Sequence, residues 1–157
     1  MFPGEFLGIS VDDEHAFSAE ALEATELCWF PRSRFDSFLD GHPEMERELY
    51  RLAAHELAAA QQQMVLLGRK TAAERVASFL LALAGRKEKP GGAPARMVDL
   101  PMGRSDIADY LGLTKETVSR VLALLKLRRL IRLDALDRVE LLDPEGLSDI
   151  AEGCGED

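Results

Sequence analysis

The chain has 157 residues, 46% of them hydrophobic, 6% aromatic and 30% charged, with a formal net charge of −9, which fits one globular domain or two small ones. Its two cysteines, Cys28 and Cys154, lie far apart, so no disulfide framework or paired-cysteine zinc motif is available, and a reducing cytoplasm is the expected compartment. The opening Met1-Phe2-Pro3-Gly4-Glu5 has no basic, apolar leader, and no apolar run approaches the roughly 18–20 residues that span a bilayer, so neither secretion nor membrane insertion is expected.

Glu5 to Ser10 reads as a short strand, followed by an acidic turn at residues 11–15. Thr25 to Phe30 is a second strand candidate stopped by Pro31, and Arg32 to Leu39 is a short helix ended by Gly41-His42-Pro43. Two strands and one helix are too few to close a domain. Residues 1–43 therefore read as the end of a domain whose beginning is absent.

From Glu44 to about Gly68 runs a helix with no internal proline or glycine, and residues 44–69 form a segment of their own. Tyr50, Ala53, Leu57, Ala60, Met64 and Leu67 follow the alternating three–four spacing of a coiled-coil seam. The same stripe also fits the core-facing side of an ordinary globular helix. As a seam it implies a second copy of this chain, with the alanines letting two backbones approach. Leu49 and Leu52 form a second apolar pair, able to cover the preceding segment.

A further helix runs from Thr71 to about Leu83, and residues 85–94 are a polar glycine- and proline-rich loop. Met97 to Leu100 is a short strand ended by Pro101. Charge is distributed unevenly: residues 1–67 carry −9, residues 68–103 carry +4, residues 104–138 carry +3 and residues 139–157 carry −7. A basic centre between acidic ends suits a phosphate-facing surface, although such runs also occur as plain solvated faces.

Residues 104–123 match a helix-turn-helix. Two helices crossing steeply need a small residue at their contact, which Ala108 supplies, and the tight turn favours Gly112 for a positive φ. Ile107, Leu111, Leu113, Val118 and Val121 are the predicted buried positions around it. Thr114 is placed to cap the second helix. On that helix Glu116, Ser119 and Arg120 share the face opposite Val118 and Val121, the face a recognition helix turns into the major groove. Arg120 can donate twice to guanine O6 and N7, Glu116 can accept from cytosine N4, and Ser119 can meet a thymine edge. A plain Glu116–Arg120 surface ion pair is the competing reading, and the two can coexist.

Leu130 to Leu133 and Arg138 to Leu142 flank residues 134–137 as a β-hairpin, the wing of a winged helix, and Pro144 to Ala151 is a terminal helix. Residues 70–152 thus form the expected DNA-binding unit. Phosphate contacts are expected from Arg104, Lys115, Thr117, Lys126, Arg129 and Arg132, with Arg128 and Arg138 as further candidates. His15, His42 and His55 are scattered, and no nucleophile–base or phosphate-loop pattern occurs, so an enzyme is not expected.

Leu67 to Leu80, Leu100-Pro101-Met102 and Asp106 to Arg120 together resemble the Crp/Fnr family of bacterial transcription regulators, most of all its FixK- and Fnr-like branch. The resemblance implies a mostly α fold with a small β component. That fold comprises the remnant of a cyclic-nucleotide-binding-type β-barrel, a long dimerisation helix and a C-terminal winged helix-turn-helix. It implies a homodimer on double-stranded DNA of the TTGA…TCAA inverted-repeat type, read by Glu116, Ser119 and Arg120, with RNA polymerase as a family partner and low oxygen as the setting. Where the family's cyclic-nucleotide binders carry an arginine cassette, this chain has Phe17-Ser18-Ala19 and no arginine before Arg32, so no cyclic nucleotide is expected. The resemblance places Cys28 where Fnr-type sensors hold the fourth ligand of a [4Fe–4S] cluster, but one thiolate cannot hold such a cluster. Cys28 is therefore expected to be buried and inert, the chain to carry no cofactor, and a cluster to belong only to a longer parent protein. A different class of function also fits an intact seam: a truncated regulator that sequesters full-length relatives.

Overall fold

A computed structural model of the chain describes residues 18–21, 24–86, 95–135 and 137–154. In chain order the elements are α1 (Arg32–Asp40), α2 (Pro43–Arg69), α3 (Ala72–Arg86), β1 (Met97–Asp99), α4 (Arg104–Leu111), α5 (Lys115–Leu127), β2 (Ile131–Ala135), β3 (Arg138–Leu141) and α6 (Pro144–Ala151). The architecture is mostly helical with one small antiparallel sheet, as the sequence implies. The chain forms two compact units, Met1–Gln62 and Gln63–Asp157, and α2 runs from the first into the second.

In the first unit, Pro31 holds an extended backbone (φ −61°, ψ 131°) and α1 begins immediately after it. The Phe38 ring stacks on His42 with centroids 4.1 Å apart, and His42 Nδ1 lies 2.7 Å from the Phe38 carbonyl, which closes the end of the helix. No described side chain of α1 or α2 is buried. The predicted strand at Thr25–Phe30 is not formed: residues 24–30 are irregular and exposed, Trp29 at 82%. Aromatic and β-branched residues favour an extended backbone, but a sheet also needs a second strand in register. Among the described residues of this unit there is no second strand. Cys28, expected to be buried, is exposed for the same reason. The predicted strand at Glu5–Ser10 and the acidic turn after it lie outside the described residues.

The second unit holds a continuous core: Val76 and Leu80 of α3, Ile107 and Leu111 of α4, Val118 and Leu125 of α5, and Leu147 of α6 are all buried. The sheet has the order β1-β3-β2 and is antiparallel throughout. Ile131 pairs with Leu141 and Val98 with Val139, all four buried, so the pleat turns one face inward. Its charged neighbours pair on the exposed side, Arg138 Nε with Asp99 Oδ1 at 3.1 Å.

The helix starts are set locally. Thr71 and Glu74 make a reciprocal capping box, with Glu74 N donating to Thr71 Oγ1 at 3.4 Å and Thr71 N to Glu74 Oε2 at 3.2 Å. At α4 the Gly103 N–H donates to Asp106 Oδ2 at 2.9 Å. At α6 the Gly146 N–H donates to Asp143 Oδ1 at 3.0 Å with Pro144 in the first turn. Helix α3 continues through Gly85 to Arg86, past the predicted end at Leu83, because Leu83 and Ala84 still face the core. Residues 87–94 of the predicted loop lie outside the described residues.

Gly146 allows a close approach that no larger residue permits. A Cβ there would sit 2.6 Å from Asp143 Oδ2 and 2.8 Å from Leu130 Cδ2. Gly146→Ala is expected to destabilise the second unit by about 1–3 kcal/mol through overpacking, measurable as a lower urea midpoint at unchanged slope.

Candidate nucleic-acid interface

Helices α4 and α5 are joined by a three-residue turn in which Gly112 is left-handed, φ 60° and ψ 42°. The Leu113 N–H returns to the Ala108 carbonyl at 2.9 Å, closing α4, and Thr114 Oγ1 accepts from Thr117 N at 3.2 Å, opening α5. Ala108 is buried where the helices meet, as are Ile107, Leu111, Val118 and Val121. Leu113, predicted to be buried with them, is only half-buried, since its place after the left-handed residue carries it toward the rim of the turn.

The opposite face of α5 is open. Glu116, Ser119 and Arg120 are all exposed. The competing Glu116–Arg120 ion pair is not formed. Arg120 Nη2 instead approaches Thr117 Oγ1 at 3.5 Å, and that hydroxyl lies 2.9 Å from Thr114 Oγ1. Thr117 is thus half-buried and held within the cap, next to the three exposed side chains.

The expected phosphate-contacting cations occupy different settings. Lys115 and Lys126 are exposed at the two ends of α5. Arg104 opens α4 and is half-buried; the partial burial lowers its guanidinium pKa from the ordinary value, but a guanidinium starts high enough to stay charged at neutral pH. Arg132 lies across the sheet from Glu140 and its guanidinium rests against Glu140 Oε2 as an ion contact without hydrogen-bond alignment.

Arg129 adopts φ 58°, the left-handed position usually given to glycine. It closes α5, with its own N–H on the Lys126 carbonyl and the Leu130 N–H on the Leu125 carbonyl, both at 3.0 Å. Left-handed backbone costs a side-chain-bearing residue about 1–2 kcal/mol, which the extra chain entropy of glycine partly offsets. Arg129→Gly is therefore expected to leave stability unchanged or raise it by up to about 1 kcal/mol. Its loss of one cation should weaken binding to every DNA sequence alike and flatten the salt slope by about one. Thermal melts and salt titrations on two unrelated duplexes check both halves.

Three polar residues that carry the geometry have no sequence signature. Arg75, in the first turn of α3, donates from Nε to the Lys70 carbonyl at 2.9 Å, from Nη2 to the Leu67 carbonyl at 2.8 Å and from Nη1 to the Leu111 carbonyl at 2.9 Å. Lys70 Nζ donates to Ser78 Oγ at 2.8 Å and to the Ala151 carbonyl at the end of α6 at 2.9 Å. Gln63 Nε2 donates to the Tyr110 carbonyl at 3.0 Å. Cations at helix C-termini complement both the free carbonyls and the negative end of the dipole. The only hint in the sequence is a cation set among Ala72, Ala73, Val76 and Ala77.

The expected seam positions Tyr50, Ala53, Leu57, Ala60, Met64 and Leu67 are all exposed, Tyr50 most at 76% and Leu67 least of the large ones at 39%, its Cδ2 lying 3.4 Å from where a Cβ on Gly112 would stand. No helix among the described residues is long and apolar enough to cross a membrane. Among the described residues, no three His, Cys, Asp or Glu side chains are grouped to hold a metal ion.

Residues 74–150 match the family model of the Crp-like helix-turn-helix domain. The chain is 42% identical to the transcriptional activatory protein AadR of Rhodopseudomonas palustris, over 95% of this chain and 62% of that protein. It is 43% identical, over the same shares, to the nitrogen fixation regulation protein FixK of Bradyrhizobium diazoefficiens. The solved structure of FixK2 from Bradyrhizobium japonicum is similar with a TM-score of 0.68 at 40% identity, over 76% of this chain and 58% of that one. The chain thus spans 62% of the length of these two curated relatives, whose names describe regulators rather than enzymes. The likeness runs through the recognition helix and the wing and on to 95% of the chain: residues 74–150 are a Crp-like helix-turn-helix domain, and the chain as a whole is similar to Crp/Fnr transcription regulators.

Proposed function

We propose that this protein is a sequence-specific DNA-binding regulator that acts as a homodimer on a TTGA…TCAA-type inverted repeat, in the cytoplasm and in low-oxygen gene control. The observation that carries the reading is the face of α5. Its buried side is anchored by Val118, Val121, Leu122 and Leu125, while Glu116, Ser119 and Arg120 stand exposed and form no ion pair with another described residue. Those three side chains supply an acceptor, a hydroxyl and a two-pronged donor on one face of the helix. The exposed stripe Tyr50, Ala53, Leu57, Ala60, Met64 and Leu67 supports pairing with a second copy, which a two-fold inverted repeat requires.

Under this division of labour, residues 1–43 belong to the sensor side, 44–69 to dimerisation and 70–152 to DNA. Contact with RNA polymerase is part of this proposal, as the resemblance implies it. No cofactor takes part in this chain's DNA binding, a cluster being confined to a longer parent through Cys28, and no cyclic nucleotide is used. A pure sequestering role is not favoured, since it would leave the exposed reading face of α5 without a use. The test is a titration of the purified chain against a TTGA…TCAA duplex and a scrambled duplex at one salt concentration, with sedimentation run in parallel. Tight binding to the first alone, by a dimer, is expected. Equal binding to both would refute the specificity, and a monomer on the repeat would refute the dimer.

A further inference from the structure

Helix α4 ends with every one of its last four carbonyls occupied. Ala108 and Asp109 accept from the Leu113 and Gly112 N–H groups of the turn. Tyr110 accepts from Gln63 Nε2 at 3.0 Å, and Leu111 from Arg75 Nη1 at 2.9 Å, with the Gly112 carbonyl 3.4 Å from the same nitrogen. The two side-chain donors come from elsewhere in the chain. Gln63 lies on α2 beside Met64, and Arg75 turns its other edge to the Leu67 and Lys70 carbonyls. Met64 and Leu67 are the last two positions of the apolar stripe. The close approach of Leu67 Cδ2 to Gly112, 3.4 Å from where a Cβ would stand, completes the joint.

From this geometry we propose that Gln63 and Arg75 are positioning residues: they latch the last turns of the stripe-bearing helix to the helix-turn-helix, so that the pairing of two chains sets the spacing of their two recognition helices. The proposal rests on the homodimer reading above. The linkage is short. The turn that Arg75 and Gln63 grip is followed, after one residue, by Thr114, whose side chain opens α5. A guanidinium suits this joint because its planar fork reaches both helix ends at once, which a single ammonium point charge cannot reproduce. Two recognition helices held at fixed separation engage both half-sites together, and that gain is lost when the geometry is no longer held.

The experiment uses the purified chain with Arg75→Lys, Gln63→Ala and the double substitution. Each is titrated against one isolated TTGA half-site and a series of inverted repeats whose spacer changes one base pair at a time. Thermal melting, sedimentation and amide hydrogen exchange are measured alongside. Wild type is expected to show a sharp spacer optimum. Folded, dimeric variants should keep half-site affinity within about twofold, lose about tenfold or more on the optimal repeat, and flatten the spacer profile. A folded variant with an unchanged profile overturns the proposal, as does equal loss on half-site and repeat, which is what a purely structural role gives. Should Arg75→Lys fail to fold, the Gln63→Ala profile decides in the same way. A wild-type chain without any spacer optimum sinks the homodimer reading instead. The latch is then judged by exchange: faster exchange at both 64–69 and 112–114 in Gln63→Ala supports it, and unchanged exchange overturns it.

Discussion

Arg120→Ala is expected to abolish the discrimination between a TTGA…TCAA duplex and a scrambled one while leaving the fold intact. The side chain is exposed and takes no part in the core. Its one hydrogen bond among the described residues, to Thr117 Oγ1, is long at 3.5 Å and contributes little to stability. A bidentate arginine–guanine contact discriminates by about 1–3 kcal/mol. An inverted repeat engages the residue twice, and distant sites add, so the loss on the full site is about 2–6 kcal/mol. Binding to scrambled DNA, expected to depend on cations such as Lys126 and Arg129, should hardly change. Anisotropy titrations across single-base variants of the operator measure this directly. If affinity falls equally on every sequence, Arg120 touches phosphate and the reading face lies elsewhere.

Leu111→Ala is expected to cost the second unit about 2–5 kcal/mol, the range for deleting a buried leucine whose site cannot fully collapse. Leu111 is completely buried, is the last residue of α4, and offers its carbonyl to Arg75. The neighbouring left-handed turn and the capped start of α5 limit how far the backbone can settle into the cavity. For a unit spanning residues 63–157, each kcal/mol corresponds to about 4–8 °C in the melting temperature. Thermal unfolding followed by circular dichroism checks this. A shift of only a degree or two would mean that Leu111 does not bear on the core as its burial indicates. Specific DNA binding should fall with temperature in step with the unfolded fraction and remain near wild type well below the transition.

Much of this was readable residue by residue. Thr114 and Gly112 bracket the turn, and both do so through contacts spanning three to five residues. The apolar positions 107, 111, 118 and 121 repeat at helical spacing and are buried as that spacing predicts. The hairpin at 131–141 and the helix from Pro144 follow equally local signals. Thr25–Phe30 shows where such reading stops: its composition favours an extended chain, but a sheet depends on a second strand, none lies among the described residues of this unit, and residues 24–30 are irregular with Cys28 exposed. Arg132 is the opposite case. As a wing cation it reads as free for phosphate, yet the register of β2 against β3 sets it beside Glu140.

The amino-acid order alone determined where helices start and turn, which faces are apolar and which side chains α5 presents, because caps, left-handed closures and helical periodicity are relations between near neighbours. Only the folded chain decided how those pieces are joined. Arg75, Lys70 and Gln63 bind backbone carbonyls of Leu67, Leu111, Ala151 and Tyr110, and a carbonyl is the same group in every residue. Such an acceptor leaves no mark in the sequence, and becomes a specific partner only when tertiary packing carries a helix end to the donor.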